Sequence, residues 1–146
     1  MRHHLILRVV TKLLVGAIIL FALYVQFHGD YSPGGGFQAG VIMAVAFILY
    51  GIVFSLQEAQ AVFPPWLVHK LAALGVLIYA GTGVISMLLG YDYLDYAAFS
   101  PAHPQHGQHW GIFAVELGVG ITVTGVMVAI YYAFAARPPH IGDEDW

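Results

Sequence analysis

Four long apolar stretches, separated by short polar segments, dominate the pattern of this 146-residue chain. They cover residues 9–27, 36–56, 71–90 and 110–136. A helix needs about 20 mainly apolar residues to cross the hydrocarbon core of a bilayer, and each stretch is close to that length or longer. The pattern therefore predicts an all-α integral membrane protein, with four transmembrane helices in a single domain over residues 1–146.

Composition supports the membrane assignment, because 60% of the residues are hydrophobic and only 9% are charged. A soluble domain of this size has too small a core to bury so much apolar surface. The chain has no cysteine, which excludes disulfides and thiolate metal sites. Its formal net charge is −3 and it has no basic cluster, which argues against nucleic-acid binding.

The first apolar stretch has an alternative interpretation as a secretory signal, since arginines precede it. The stretch ends in Tyr24-Val25-Gln26-Phe27, however, and lacks the small residues of a cleavage site. We therefore interpret it as a retained transmembrane helix.

All the basic residues can be placed on one side of the membrane. They either flank the first and fourth stretches or lie in the segment before the third, and they are Arg2, Arg8, Lys12, Lys70 and Arg137. The opposite loops, 28–35 and 91–109, contain neither lysine nor arginine. The positive-inside rule then predicts that both termini are cytoplasmic, with residues 137–146 as a cytoplasmic tail.

A glycine-rich loop, His28-Gly29-Asp30-Tyr31-Ser32-Pro33-Gly34-Gly35-Gly36-Phe37-Gln38-Ala39-Gly40, precedes the second stretch. Consecutive glycines suit a tight turn or a close backbone approach, and the free N–H groups of the helix that follows can receive a carboxylate. Small residues at Gly36, Gly40 and Ala44 favour close helix packing. We interpret the loop as a turn and packing seam. The alternative is an ion-path mouth at His28 or Asp30.

Glu116 is the one acid that lies inside a predicted span. An ionisable group in the hydrocarbon region costs roughly 2.5–3.5 kcal/mol or more on insertion scales unless it faces protein or water. Two interpretations stay open. Glu116 is either a hydrogen-bonded structural acid or a carboxyl group on or beside a proton or cation route.

Small residues line two sides of the fourth predicted helix. Gly120 and Thr124 share the face of Glu116, whereas a nearly opposite stripe consists of Gly118, Thr122, Gly125, Ala129 and Ala133. Small residues mark close helix contact in membranes. Because four helices would struggle to cover both sides, this pattern indicates neighbouring subunits.

Three histidines, His103, His106 and His109, recur in the second outer loop. Imidazole suits Zn²⁺ or Cu²⁺, and histidine also responds to pH near neutrality. Because Pro104 and Gly107 interrupt the series, we expect no regular helix to fix its geometry. A solvated loop is the favoured interpretation, and we predict no metal site and no cofactor.

Two strings carry a family resemblance. Ser32 to Ile42 and Gly111 to Val123 resemble the corresponding segments of the MnhB/MrpB family, whose members are subunits of multisubunit cation/proton antiporters of the Mrp (Mnh) type. Related domains also occur in membrane-bound complexes of the hydrogenase type. The motif positions implied by the resemblance are Pro33, Gly34, Gly35, Gly36, Phe37, Gly40 and Glu116.

The resemblance implies a non-enzymatic accessory subunit of a Na⁺/H⁺ antiporter in a bacterial cell membrane. Its partners would be the other antiporter subunits, including large ones related to respiratory complex I, together with lipid and the transported Na⁺ and H⁺. The alternatives are a purely structural subunit, in an antiporter or in a redox-linked complex, and an independent membrane enzyme. The last is weak, because no nucleophile–base pair is apparent.

Overall fold

The computed structural model describes residues 5–29 and 34–137. It contains five α-helices: α1 (Leu5–Phe27), α2 (Gly36–Phe54), α3 (Leu56–Val62), α4 (Pro65–Leu88) and α5 (Pro104–Ala135). A single 3₁₀ turn, Tyr96–Phe99, lies between α4 and α5. Four of the helices, α1, α2, α4 and α5, are long and apolar enough to cross a membrane. The prediction of an all-α chain with four such helices is confirmed.

The segment between the second and third predicted spans is mostly helical, not a loop. Ser55 ends α2 and begins α3, and its hydroxyl oxygen accepts a hydrogen bond from the backbone N–H of Glu58 at 3.2 Å. This is the N-terminal half of a capping box. α4 then begins at Pro65 rather than near Leu71, because proline is well suited to the first turn of a helix.

The last helix also begins earlier than its apolar stretch suggests. α5 starts at Pro104 and continues to Ala135 over 32 residues, a length of about 48 Å at 1.5 Å per residue. The expectation that no regular helix includes the outer histidines is therefore wrong for His106 and His109. Proline again occupies the first turn, where its missing N–H costs nothing.

The four long helices form a row in the order α1, α2, α5, α4. Residue numbers increase in the same direction along the contact between α2 and α5. Gly36 lies beside Glu116 and Gly51 beside Tyr131, so these helices run parallel. Contacts between α4 and α5 run in opposite directions, since Gly75 lies beside Thr122 and Val68 beside Gly125. α5 is therefore an inner helix of the row, with neighbours on both sides.

This arrangement corrects the inference that α5 needs neighbouring subunits to cover both of its faces. α2 contacts α5 at Gly120, and α4 contacts it at Gly118 and Gly125. The chain thus covers most of both small-residue faces with its own helices, although Ala133 at the end of the second stripe is exposed. The apolar surface that remains outward lies elsewhere, for example on α1, where Leu13 is 72% exposed.

A buried cluster ties α3 and the start of α4 to the far end of α5. It consists of Ala44, Ala59, Phe63, Val68, Val128 and Tyr132. The Tyr132 hydroxyl donates to the carbonyl of Phe63 at 2.8 Å, and the Ala59 carbonyl lies 3.2 Å from the same hydroxyl. These contacts hold together the ends of the helices that lie farthest from the glycine-rich loop.

Candidate functional site at the glycine-rich loop

Glu116 lies level with the first residue of α2. The Cα of Gly36 packs so closely on the backbone of Glu116 that a methyl group there would collide with the Glu116 carbonyl oxygen. One turn further along, a methyl group on Gly40 would stand 2.7 Å from the carbonyl oxygen of Gly120. The small residues at the start of α2 thus let two parallel helix backbones touch beside the acid.

The carboxyl group of Glu116 lies against two further glycines of the loop. A methyl group on Gly29 would collide with its Oε2, and one on Gly35 would stand 2.9 Å from its Oε1. Gly35 also has a φ of +148°, in a region that favours glycine. Gly29, Gly35 and Gly36 therefore form a seat for Glu116 that no larger residue could replace without moving the acid.

The seat has a favourable electrostatic environment for a carboxylate. Gly35 is the N-cap of α2 and has no side chain with which to cap the helix. The first N–H groups of a helix have no partner within the helix, and its N-terminus carries a partial positive charge. A carboxylate placed there is stabilised by the helix dipole, typically by about 0.3–1 kcal/mol at exposed sites.

Glu116 also faces a small chamber between the ends of α1 and α5. The chamber has a volume of about 200 Å³, and its lining consists of Gln26, Phe27, His109, Trp110, Phe113 and Glu116. The rings of Phe27 and Phe113 stack with their centroids 5.9 Å apart, and Trp110 meets Phe113 edge to face at 6.3 Å. Aromatic side chains thus border a partly open space whose polar groups are an acid, an amide and an imidazole.

Gln26 is the member of this site that sequence reasoning missed. It is only 7% exposed, and its Nε2 has no hydrogen-bond partner among the residues that the structure describes. Its Oε1 lies against Gly120, where a methyl group would stand 2.5 Å away. The one available signal is an amide within an apolar stretch, and a position near the end of a stretch is also typical of interfacial residues.

Gln26 also lines a second, apolar cavity. This groove has a volume of about 270 Å³ and runs along α2 and α5 from Ala39 and Gly40 to Met43 and Phe47. Thr124 lines it too, but its Oγ1 already donates within its own helix to Gly120 O at 2.8 Å, with Gly40 O at 3.2 Å. Gln26 therefore lines both the polar chamber and the apolar groove.

The other predicted positions have more peripheral places. Phe37 is 60% exposed, and a methyl group on Gly34 would stand 3.1 Å from Cγ1 of Val25. His28 is exposed and stacks on Tyr24 with ring centroids 4.3 Å apart. Asp30 and Pro33 lie outside the described residues.

Comparison with known proteins identifies the family of the chain. A family model described as "Domain related to MnhB subunit of Na+/H+ antiporter" matches residues 6–129. The chain belongs to the MnhB family. A relative from Staphylococcus haemolyticus (strain JCSC1435), named "Putative antiporter subunit mnhB2", is 35% identical over 135 residues, which cover 91% of this chain and 95% of the relative. A relative of the same name from Staphylococcus aureus (strain Newman) is 35% identical over 130 residues, which cover 88% and 92%.

Family membership and the four apolar helices make this MnhB-family chain a multi-pass cell-membrane protein. The match begins near the start of α1 and ends within α5, so it includes both the glycine-rich loop and Glu116. The two sequence strings that carry the resemblance are thus brought into direct contact by the fold.

The outer histidines of this MnhB-family chain separate in the structure. His109 lines the chamber, whereas His103 and His106 border an exposed depression, with ring centroids 5.8 Å apart. Within residues 5–29 and 34–137, no group of three or more His, Cys, Asp or Glu side chains is arranged to hold a metal ion. Of the three, His109 is therefore the one positioned to act together with Glu116.

The 3₁₀ turn fixes the part of α5 that carries these histidines. The Tyr96 ring packs on Gly111, and the Tyr96 carbonyl lies 2.5 Å from the position of a methyl group on Gly107. Burial raises the pKa of the Tyr96 phenol above its ordinary value, with smaller contributions from Tyr79 and Tyr93. Tyr96 therefore stays neutral at physiological pH and acts as an anchor.

Proposed function

We propose that this protein is an accessory membrane subunit of a multisubunit Na⁺/H⁺ antiporter, in which Glu116 lines part of a proton or cation path. Membership of the MnhB family supports the antiporter part of the proposal. The staphylococcal relatives bear the name of antiporter subunits, which are transport proteins rather than enzymes. The expected partners are the other subunits of the complex, including large ones related to respiratory complex I.

The distribution of charge supports an accessory role. Among the described residues, Glu116 is the one acid on the four long helices. Lys12 is near the start of α1 and Lys70 near the start of α4. A proton relay through a membrane requires a chain of ionisable groups or water. One acid, placed beside the glycine-rich loop, can complete such a path but cannot form it alone.

The proposed orientation follows from the basic residues. With both termini in the cytoplasm, the glycine-rich loop and the segment 91–109, which carries the histidines, face outward. The chamber then opens toward the outer side, and Glu116 lies where an ion would enter or leave. The cationic groups of Arg8 and Lys12 lie 4.9 and 5.7 Å from the centroid of the Phe54 ring. Phe54 is at the end of α2 opposite the glycine-rich loop.

The observation that carries the path is the position of the Glu116 carboxyl group between the glycine seat and the chamber. The carboxyl group borders a space of about 200 Å³ that Gln26 and His109 also line. Such a space gives the acid access to water and hence to protons.

Gene deletion and complementation test the proposal. Deleting the gene should abolish growth at high Na⁺, and the wild-type gene should restore it. Glu116→Gln, which preserves the shape of the side chain but not its charge, should fail to restore growth. Asp92→Asn is the matched control, because it removes an exposed outer carboxylate away from the chamber and should complement fully.

Co-purification through a tag on this chain separates the remaining alternatives. Large antiporter subunits should accompany the chain, and the Glu116→Gln variant should recover the same set. If the variant complex were intact and supported normal Na⁺ tolerance, the chain would be an assembly element without an ion path. Recovery of hydrogenase or iron–sulfur subunits instead would contradict the antiporter assignment.

A further inference from the structure

The chamber and the groove are two cavities of similar size with opposite chemistry. An acid, an amide and an imidazole contribute to the lining of the chamber. The groove is lined almost entirely by apolar side chains, among them Leu23, Met43 and Phe47. Water enters a cavity that offers polar partners and roughly 10–15 Å³ of space for each molecule, whereas an apolar cavity of about 150 Å³ can stay dry. The chamber is therefore suited to water and the groove is not.

Gln26 marks the boundary between the two environments. It lines both cavities and is 7% exposed. Its Oε1 lies on the side of Gly120, which lines the groove and not the chamber. Its Nε2, the other branch of the amide, has no hydrogen-bond partner within residues 5–29 and 34–137. A buried donor without a partner is costly, and the apolar groove offers it little compensation.

We propose that the chamber is a water-filled vestibule that leads to Glu116, and that the Gln26 side chain closes its inner end against the apolar groove. The terminal torsion of a glutamine is soft, so a small rotation brings Nε2 to a chamber water that accepts its hydrogen bond. A donor at the inner wall pairs with the oxygen of a water molecule. The ligand of the chamber is therefore water, which can carry a proton to Glu116.

The delivery of protons to Glu116 rests on the proposed function, whereas the closure at Gln26 does not. Cysteine accessibility tests the closure by itself, because the chain contains no cysteine of its own. Phe113→Cys places a reporter in the chamber, and Met43→Cys places one in the groove. Each is assembled into the full complex in membranes and treated with a membrane-impermeant maleimide from the side of the glycine-rich loop.

The expected result is rapid labelling at Phe113→Cys and none at Met43→Cys. Adding Gln26→Ala should make Met43→Cys react several-fold faster, because the barrier is removed. Leu23→Ala is the matched control, since Leu23 lies one turn earlier on the same helix and lines the groove but not the chamber. Leu23→Ala should leave Met43→Cys unlabelled by the maleimide.

Three results would overturn the closure: an unreactive Phe113→Cys, a Met43→Cys that reacts while Gln26 is intact, or a Met43→Cys that stays silent with Gln26→Ala. Gln26→Met provides a second variant of similar length that should fold in the same way. It should keep the groove reporter silent and lower proton-coupled transport several-fold, because the amide is lost. If Glu116→Gln transported normally while the labelling pattern held, the proposed path would fail and the vestibule would stand.

Discussion

The two faces of α5 are built from the same kinds of residue but differ in what they enclose. On the α4 face, Gly118 and Gly125 meet the α4 backbone, and the cavity beside them is lined by Val76, Tyr79, Val119, Thr122 and Val123. On the α2 face, Gly120 continues the same style of packing. There, however, the seam also contains Glu116 and ends at the chamber.

The comparison separates packing from chemistry. Glycines that let helices approach are present on both faces and cannot by themselves indicate a site. What distinguishes the α2 face is an acid beside a polar cavity and a buried amide at the boundary of that cavity. In the proposed function, the α4 face is a structural seam and the ion path lies on the α2 face.

The largest expected effect on stability is that of Gly36→Ala. The added methyl group meets the backbone of Glu116, which cannot rotate away as a side chain can. We expect destabilisation at or above the usual overpacking cost of about 1–3 kcal/mol, measured by thermal unfolding of the purified complex. Gly81→Ala is the control, since among the described residues nothing beyond the adjacent backbone of its own helix and its two chain neighbours lies within 4 Å of its methyl position. It should be neutral or stabilising by up to about 1 kcal/mol. Equal unfolding temperatures for the two variants would refute the close contact.

Gly75→Ala tests the α4 face in the same way. Its methyl group would stand 2.5 Å from the carbonyl oxygen of Gly118 and would also collide with the Thr122 hydroxyl. We expect about 1–3 kcal/mol of destabilisation and a lower yield of complex. Transport per assembled complex should remain at the wild-type level, and a specific loss of transport would show that the α4 face is more than structural.

Tyr132→Phe should have a smaller effect on the end of α5 that is distant from the chamber. It removes the hydroxyl that donates to Phe63 O at 2.8 Å. The expected loss of stability is about 0.5–1.5 kcal/mol, the usual net contribution of one hydrogen bond. Thermal unfolding measures it, and transport should not change. A variant as stable as the wild type would indicate that water replaces the hydroxyl.

Thr122→Val and Thr124→Val form a matched pair with the smallest expected effects. Thr122 Oγ1 lies 3.4 Å from the Ala72 carbonyl oxygen on α4, and Thr124 Oγ1 lies 3.2 Å from the Gly40 carbonyl oxygen on α2. Each hydroxyl has one proton and also donates within its own helix at 2.8 Å, to Gly118 O or to Gly120 O. Each variant should therefore lose at most about 0.6 kcal/mol, the average for hydrogen bonds between membrane helices. Thermal unfolding of the two complexes side by side would reveal any difference between the two seams.

The four long helices could be predicted because a membrane imposes a local pattern on the sequence. A run of apolar residues long enough to cross the bilayer can be recognised from the sequence alone. The starts of α3 and α4 were not predicted, although Ser55 and Glu58 have capping-box spacing and Pro65 suits a first helical turn. In both cases a boundary signal is present within a polar segment that resembles a loop.

The candidate site was predictable in its parts but not in its assembly. The sequence identifies Glu116 as an acid within a span and the glycines as a run after a proline. Their contact depends on the parallel pairing of α2 and α5, two helices far apart in sequence, which no local pattern specifies. The role of Gln26 depends on the same pairing, because its burial is created by a helix that follows much later in the chain.

The most direct test of the assigned difference between the faces is antiport per assembled complex, measured in membrane vesicles for Glu116→Gln beside Gly75→Ala. We predict that Glu116→Gln assembles at the wild-type level and does not transport. Gly75→Ala should assemble poorly, while each complex that forms transports normally. Wild-type antiport by Glu116→Gln, or a loss of transport that only follows a loss of assembly, would contradict the assignment of an ion path to Glu116.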